Sequence, residues 1–167
     1  MVQAFNTLSA TAVPDANQPP RPDLVLNQPA CAGAQVMVVD RNFTCGSSRE
    51  NAVTMMVDNG FRAFIAPNFG DIFYSNCFQN GVLPIRLPAE RIDALRAARR
   101  AAPGSRITID LENQQVLGPD GQVDAFEIDP FRKDCLLQGL DEISLTLRYE
   151  QDIARFEAKH LQTMDWL

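Results

Sequence analysis

Apolar positions along this chain change period several times, and each change marks an element. AQVMVV (34–39) is a nearly continuous apolar run of the length of a buried strand. After a polar interval, ENAVTMMVDNG follows a helical period and stops at Gly60, where a helix C-terminus favours glycine. FRAFIAP (61–67) is a second buried strand. In NFGDIFYSNCFQNG, Phe69, Ile72, Phe73, Asn76 and Cys77 fall on one helical face, with Asn68 as the expected N-cap and Gly81 as the stop. VLPI (82–85) is a third strand. The next helix takes Pro88 at its first position and Glu90 in its first turn, and it ends near Arg99 and Arg100, which suit the negative end of its dipole.

The second half reads differently. In RITIDLENQQVL, Ile107, Ile109 and Leu111 alternate on one face and the chain turns back near Asn113, a hairpin. GPDG (118–121) is a turn and VDAFEI a further strand. Asp129-Pro130 opens a short helix that Gly139 closes, and a last helix runs from about Glu150 to His160 with Ile153 and Phe156 inward. Ahead of all this, Pro14, Pro19, Pro20, Pro22 and Pro29 break up residues 1–33, which read as an irregular segment. The domain is expected over 34–160, with a tail at 161–167. Strand–helix alternation followed by a hairpin predicts one mixed α/β domain. In such folds ligands gather where strand ends lead into helix N-termini.

The formal net charge of −6 argues against a general nucleic-acid or membrane-surface binder. MVQAFNTLSATAV lacks a secretory pattern, and no stretch approaches the roughly 20 apolar residues of a membrane span. A soluble, cytoplasmic protein is expected. Cys31, Cys45, Cys77 and Cys135 are scattered, and His160 is the one histidine. That distribution gives no zinc or iron–sulfur ligand set and no Ser-His-Asp or Cys-His catalytic design. Any metal has to come from a partner or rest on carboxylates. The cysteines read as reduced and buried.

One decamer, NFTCGSSREN (42–51), carries candidate chemistry. Ser47-x-x-Glu50 matches a capping box, which needs no function beyond starting a helix. Gly46, Ser47 and Ser48 also place small residues at a helix N-terminus, where free amides and the dipole favour an anion. Arg49 adds a planar cationic fork suited to a carboxylate. A serine is a poor base unless dipole and positive charge stabilise its alkoxide, and this loop offers both. The residues support a small-anion or carboxylate site and name no reaction.

NFTCGSSREN and the following DNGFRAFIAPNFGDIFYSNCFQNGVLPI closely resemble the 3-isopropylmalate dehydratase small-subunit family, which corresponds to the swivelling C-terminal domain of aconitase. PDLVLNQPA upstream and FEIDPFRKDCLLQGLDEISLTL downstream resemble it in the same order, so the likeness spans about residues 22–160. The resemblance implies a single swivelling β/β/α domain, with a mixed sheet flanked by helices and a C-terminal hairpin. It implies a hydro-lyase that isomerises 2- and 3-isopropylmalate by dehydration and rehydration in leucine biosynthesis. The dicarboxylate substrate would meet a [4Fe–4S] cluster held by a separate large subunit, with no cofactor in this chain. On this resemblance Ser47 removes the proton beside a carboxylate, and Gly46, Ser48 and Arg49 bind substrate.

Two departures stand out. Asn51 occupies a position where the family usually has histidine, and a D-T-D-x-I-I-P segment with the specificity loop after it is missing. These leave room for a non-catalytic or altered-specificity paralogue, a shortened form, or the small subunit of a related alkylmalate or homoaconitate hydro-lyase. Cys45, Cys77, Phe69, Phe73 and Phe78 read as packing residues, Asp71 as solvated or structural, and Arg62 and Arg86 as surface or interface residues.

Overall fold

Two sheets organise the chain in its computed structural model, which describes residues 2–4, 33–46, 48–102 and 105–163. Val2–Ala4 (β1), Val36–Val38 (β2), Ala63–Ala66 (β3) and Leu83–Arg86 (β4) pair in that order, all parallel. The β2–β3 and β3–β4 crossovers carry the helices Asn51–Asp58 (α1) and Asp71–Gln79 (α2). Ala89–Ala101 (α3) then leads to an antiparallel meander of Thr108–Asp110 (β5), Gln115–Leu117 (β6) and Val123–Ala125 (β7). Pro130–Gln138 (α4), Glu142–Leu147 (α5) and Glu150–Thr163 (α6) complete the described chain.

The two-residue period of buried strands divides the core. In β2 and β3, Met37, Val39, Phe64 and Ala66 join α1 and α2 on one face, packing with Val53, Phe69, Phe73 and Cys77. Val38, Ala63 and Ile65 point to the other face, with Leu83, Ile85, Ile92 and Leu95, and there they meet Val116 and Phe126 of the meander. The expected single mixed sheet is therefore two sheets: among the described strands β5–β7 pair only with one another, and they join the parallel sheet through side chains.

Among the described strands β4 is an edge, and it carries a buried proline. The Leu83 amide donates to Arg62 O (3.0 Å) and the Leu87 amide to Ala66 O (3.1 Å). By alternation the Pro84 nitrogen faces away from β3, so its missing N–H costs the ladder nothing.

Arg91 ties α3 to the meander. It is 7% exposed and pairs through Nε with Asp124 and through Nη1 with Asp120, while Nη2 donates to Asp120 Oδ1 at 2.9 Å. Those hydrogen bonds hold the Asp120 carboxyl down at about 2 and raise the guanidinium further above its already high range. Gly118 makes room for this pairing: a methyl group on it would lie 2.6 Å from Arg91 Nη2 and 2.8 Å from Leu95 Cδ2, so those side-chain ends would have to shift.

Several expectations need correction. Val2–Ala4 form a strand inside the segment read as irregular. Asn68 is not the cap of α2; Gly70 holds that position. Pro88 precedes α3 rather than opening it. Ile72 and Phe156 are exposed, at 50% and 65%. The short helix α5 has no counterpart in the sequence reading; Asp141 caps it, accepting from Ser144 N at 2.7 Å. By contrast α4 begins and ends as read: Asp129 accepts from Arg132 N at 3.0 Å, and Gly139 closes the helix at φ +64°. Among the described residues no helix is long and apolar enough to cross a membrane.

Candidate functional site

The candidate loop begins where β2 leaves the sheet. Val39 still pairs with the sheet, its amide donating to Ile65 O at 2.9 Å. Asp40 then turns outward. Its carboxylate accepts from the Arg41 amide (2.7 Å) and from Arg96 Nη1 (3.4 Å), and these contacts, the Arg41 amide foremost, hold it below the usual range.

The next residues are seated on the turn that follows β3. Asn42 donates its amide to Asn68 Oδ1 at 2.5 Å, and Asn68 Nδ2 donates back to Asn42 Oδ1 at 3.1 Å. Phe43 forms a parallel bridge with Phe69, and the Gly70 amide donates to Phe43 O at 3.0 Å. Asn42 and Thr44 both hold φ +59°, and Cys45 N closes the turn onto Asn42 O at 3.2 Å. The fit leaves no room for a side chain at Gly70: a methyl group there would stand 2.9 Å from Thr44 O and 3.0 Å from Cys45 Cα. Beneath, the Phe43 ring packs against Phe64 (5.7 Å) and edge-on to Phe73 (5.4 Å). That aromatic floor fixes the loop's entry.

Of the four site residues, Gly46, Ser48 and Arg49 are described and exposed, whereas Ser47 lies outside the described residues. The Ser47 half of the expected capping box lies outside them too. Glu50 precedes α1 without a capping hydrogen bond from its side chain. It accepts instead from Asn80 Nδ2 at 3.3 Å. Backbone contacts from Ala52 N to Arg49 O (3.2 Å) and from Val53 N to Glu50 O (2.8 Å) begin the first turn, with Asn51 the first residue of α1.

As expected, the loop runs from a strand end to a helix N-terminus, β2 to α1. Residues 42–45 sit beside the first turn of α2, at the strand end, but Glu50 sits beside its last turn. Ser48 and Arg49 stand on the surface just before α1 starts. Chemically this is an exposed, cation-bearing segment just ahead of a helix N-terminus, a place where a carboxylate is favoured.

The other singled-out residues divide. Cys77 is buried and its thiol is pushed up to about 12 by that burial, but Cys45 is exposed rather than packed. Arg62 closes α1, donating to Val57 O (3.0 Å) and Phe61 O (2.8 Å). Arg86 lies over the Tyr74 ring at 4.1 Å, and Arg132 over Phe78 at 4.6 Å. Among the described residues no three His, Cys, Asp or Glu side chains come together as a metal site. Asn68 and Asn80, which hold the loop, do not emerge from the sequence as site residues. An asparagine bracketing each end of α2 is the available signal.

Known proteins resemble the chain along most of its length. Residues 2–90 match the aconitase C-terminal domain model and 93–130 a model described as LeuD_N. Residues 142–167 match the model for the C-terminal domain of the 3-isopropylmalate dehydratase small subunit. The 3-isopropylmalate dehydratase small subunit of Parvibaculum lavamentivorans is 53% identical over 146 residues, covering 87% of this chain and 73% of that protein. The Methylibium petroleiphilum protein of the same name is 52% identical over 152 residues, covering 91% and 70%. A solved 3-isopropylmalate dehydratase structure from Methanocaldococcus jannaschii superposes with a TM-score of 0.54 at 26% identity, covering 77% of this chain and 70% of that one.

Proposed function

The chain belongs to the 3-isopropylmalate dehydratase small-subunit family, and from that premise we propose that it isomerises 2- and 3-isopropylmalate with a large subunit, lending that subunit the segment 46–49. The carrying observation is the identity of half or more of the residues with small subunits along most of both chains. The exposed position of Ser48 and Arg49 suits a site completed by another chain.

In this reading Arg49 and Ser48 grip a substrate carboxylate, the guanidinium supplying a charge-assisted fork. Ser47, as alkoxide, takes the proton from the carbon beside a carboxylate. The C–H electron pair forms the double bond, and the hydroxyl on the adjacent carbon leaves as water by taking a proton from an acid that the large subunit would supply, which recovers that proton when water adds back. Adding water back with the opposite orientation, Ser47 returning the proton, gives the isomer. The [4Fe–4S] cluster of the large subunit would supply Lewis acidity at the departing hydroxyl. The described residues bring no cluster ligand set together, and in this reading the cluster's thiolates belong to the partner. A cytoplasmic setting fits such a biosynthetic role.

The test is isomerisation by this chain mixed anaerobically with a cluster-loaded large subunit. Wild type should be active on mixing, and Ser47→Ala should lower kcat by about 100- to 10,000-fold, the range for a lost proton-transfer group. A Ser47→Ala complex of undiminished activity would refute the assigned role.

A further inference from the structure

We infer that Arg86 and Arg132, seated on the rings of Tyr74 and Phe78, form a cationic docking rim for an acidic surface of the large subunit. The inference rests on the reading of a two-chain enzyme given above and says where on this chain the partner lands.

The geometry starts from two stacked guanidiniums. Arg86 lies 4.1 Å from the centre of the Tyr74 ring, and Arg132 lies 5.6 Å from the same ring and 4.6 Å from that of Phe78. The two rings stand one turn apart on α2 and meet edge to face at 5.2 Å. Because both cations lie on the Tyr74 ring, at 4.1 and 5.6 Å, they are at most about 10 Å apart. Among the described residues neither guanidinium forms an ion pair, although the chain carries a net charge of −6. Stacking on a ring fixes a guanidinium while leaving its N–H edge open to fork a carboxylate. Two cations held in place in this way lose little further freedom when an acidic surface meets them.

Their position ties them to the candidate loop. The strands β2, β3 and β4 are parallel, so their carboxyl ends share one side of the sheet. The loop leaves β2 on that side, and Arg86 is the last residue of β4. Rings connect the two places, from Phe43 to Phe69 at 6.4 Å and from Phe69 to Tyr74 at 6.0 Å. A partner that covers the loop at this end of the sheet therefore meets Arg86 on the same rim. Phe131, next to Arg132, is 61% exposed and extends the patch with the aromatic character that interfaces favour.

The experiment measures association of this chain with the cluster-loaded large subunit at low and high salt. Arg86→Gln/Arg132→Gln should slow association about 10-fold at about 0.05 M salt and less than about twofold at about 0.5 M, where charges more than ~4 Å apart are screened. Once assembly is complete, kcat should stay within about twofold of wild type, as for a rim charge. Arg86→Lys/Arg132→Lys keeps both charges and should associate at close to the wild-type rate at low salt. Arg100→Gln/Arg106→Gln alters the net charge equally at two exposed arginines that touch neither ring, and should slow association less than about threefold. Unchanged association of the glutamine pair at low salt overturns the inference. So does an equal slowing by the Arg100/Arg106 pair, a lysine pair as slow as the glutamine pair, or a loss of kcat in the fully assembled enzyme. A wild-type chain that forms no complex defeats the two-chain reading itself, a result distinct from a complex that forms at unaltered rates.

Discussion

Replacing Arg91 by Met tests what joins the two sheets. The methionine keeps an apolar side chain of similar length but removes the guanidinium donors from Asp120 and Asp124, leaving them only those of Gln122. Breaking a buried ion pair from one side costs about 3–5 kcal/mol, because the remaining charge is left desolvated. The Asp124 side chain is 11% exposed and that of Asp120 29%, so water reaches part of the pair and a loss near the lower bound, about 3 kcal/mol, is expected at pH 7. A pH signature accompanies it. Asp120 titrates at about 2 in the fold against an ordinary value of 3.8. A depressed carboxyl stabilises the fold above its unfolded pKa and ceases to do so as pH falls through the folded one. Wild type should therefore lose up to about 2 kcal/mol between pH 4 and pH 2 from this group, at ~1.4 kcal/mol per pH unit, trimmed by solvent. Arg91→Met should lack that portion of the acid slope. Urea denaturation followed by circular dichroism at pH 7, 4 and 2.5 measures both effects. A variant within about 0.5 kcal/mol of wild type at pH 7, less than a typical single hydrogen bond contributes, would refute the reasoning. So would parallel losses of the two proteins between pH 4 and 2.5.

Thr44 holds φ +59°, a conformation that costs a β-branched residue about 1–3 kcal/mol. Thr44→Gly should relieve that strain, less about 0.8 kcal/mol of unfolded-chain entropy, and raise the melting temperature by roughly 3 °C; a fall would contradict the strained geometry. Thiol mapping of the native chain by mass spectrometry at pH 8 should find Cys45 alkylated within minutes and Cys77 protected until unfolding, as exposure at one and a thiol pushed up to about 12 at the other require. Equal labelling of the two would mean that α2 opens readily in the native state.

What is legible in the sequence is whatever a local period dictates. Ala63–Ala66 read as a buried strand because all four residues are apolar and alternate between two cores. Asp129, Pro130 and Gly139 announce α4 because capping chemistry is local. Contacts across sequence distance stay hidden. Arg91 lies 29 and 33 positions from its aspartates, and Asn42 lies 26 from Asn68, so no spacing rule joins them. Asn68 looks like a helix cap on local grounds, but its side chain is engaged by the loop instead. Ile72 falls on the apolar stripe by count, yet the ring cluster of Phe43, Phe69 and Phe73 sets the rotation of α2 and leaves it outside. Phe156 reads as inward because an apolar period names a face without naming what covers it; here the ring stacks on His160 at 5.3 Å. The short β1 stays hidden because its three residues gain meaning only from pairing with β2, more than 30 residues later. In the decamer, residue types suggest a carboxylate site, while the contacts of Asn42 and Glu50 are made by asparagines outside it.

The proline of β4 bears on how such a subunit behaves before it meets its partner. A small chain made separately spends part of its life alone in a crowded solution, and a parallel sheet with an open edge invites like chains to add strands to it. With the Pro84 nitrogen turned outward, that edge has no amide to offer at its centre, and a ring carbon stands where the hydrogen would be. Self-templated growth is blocked there at no cost to the domain's own pairing. A Pro84→Val chain would regain that outward amide.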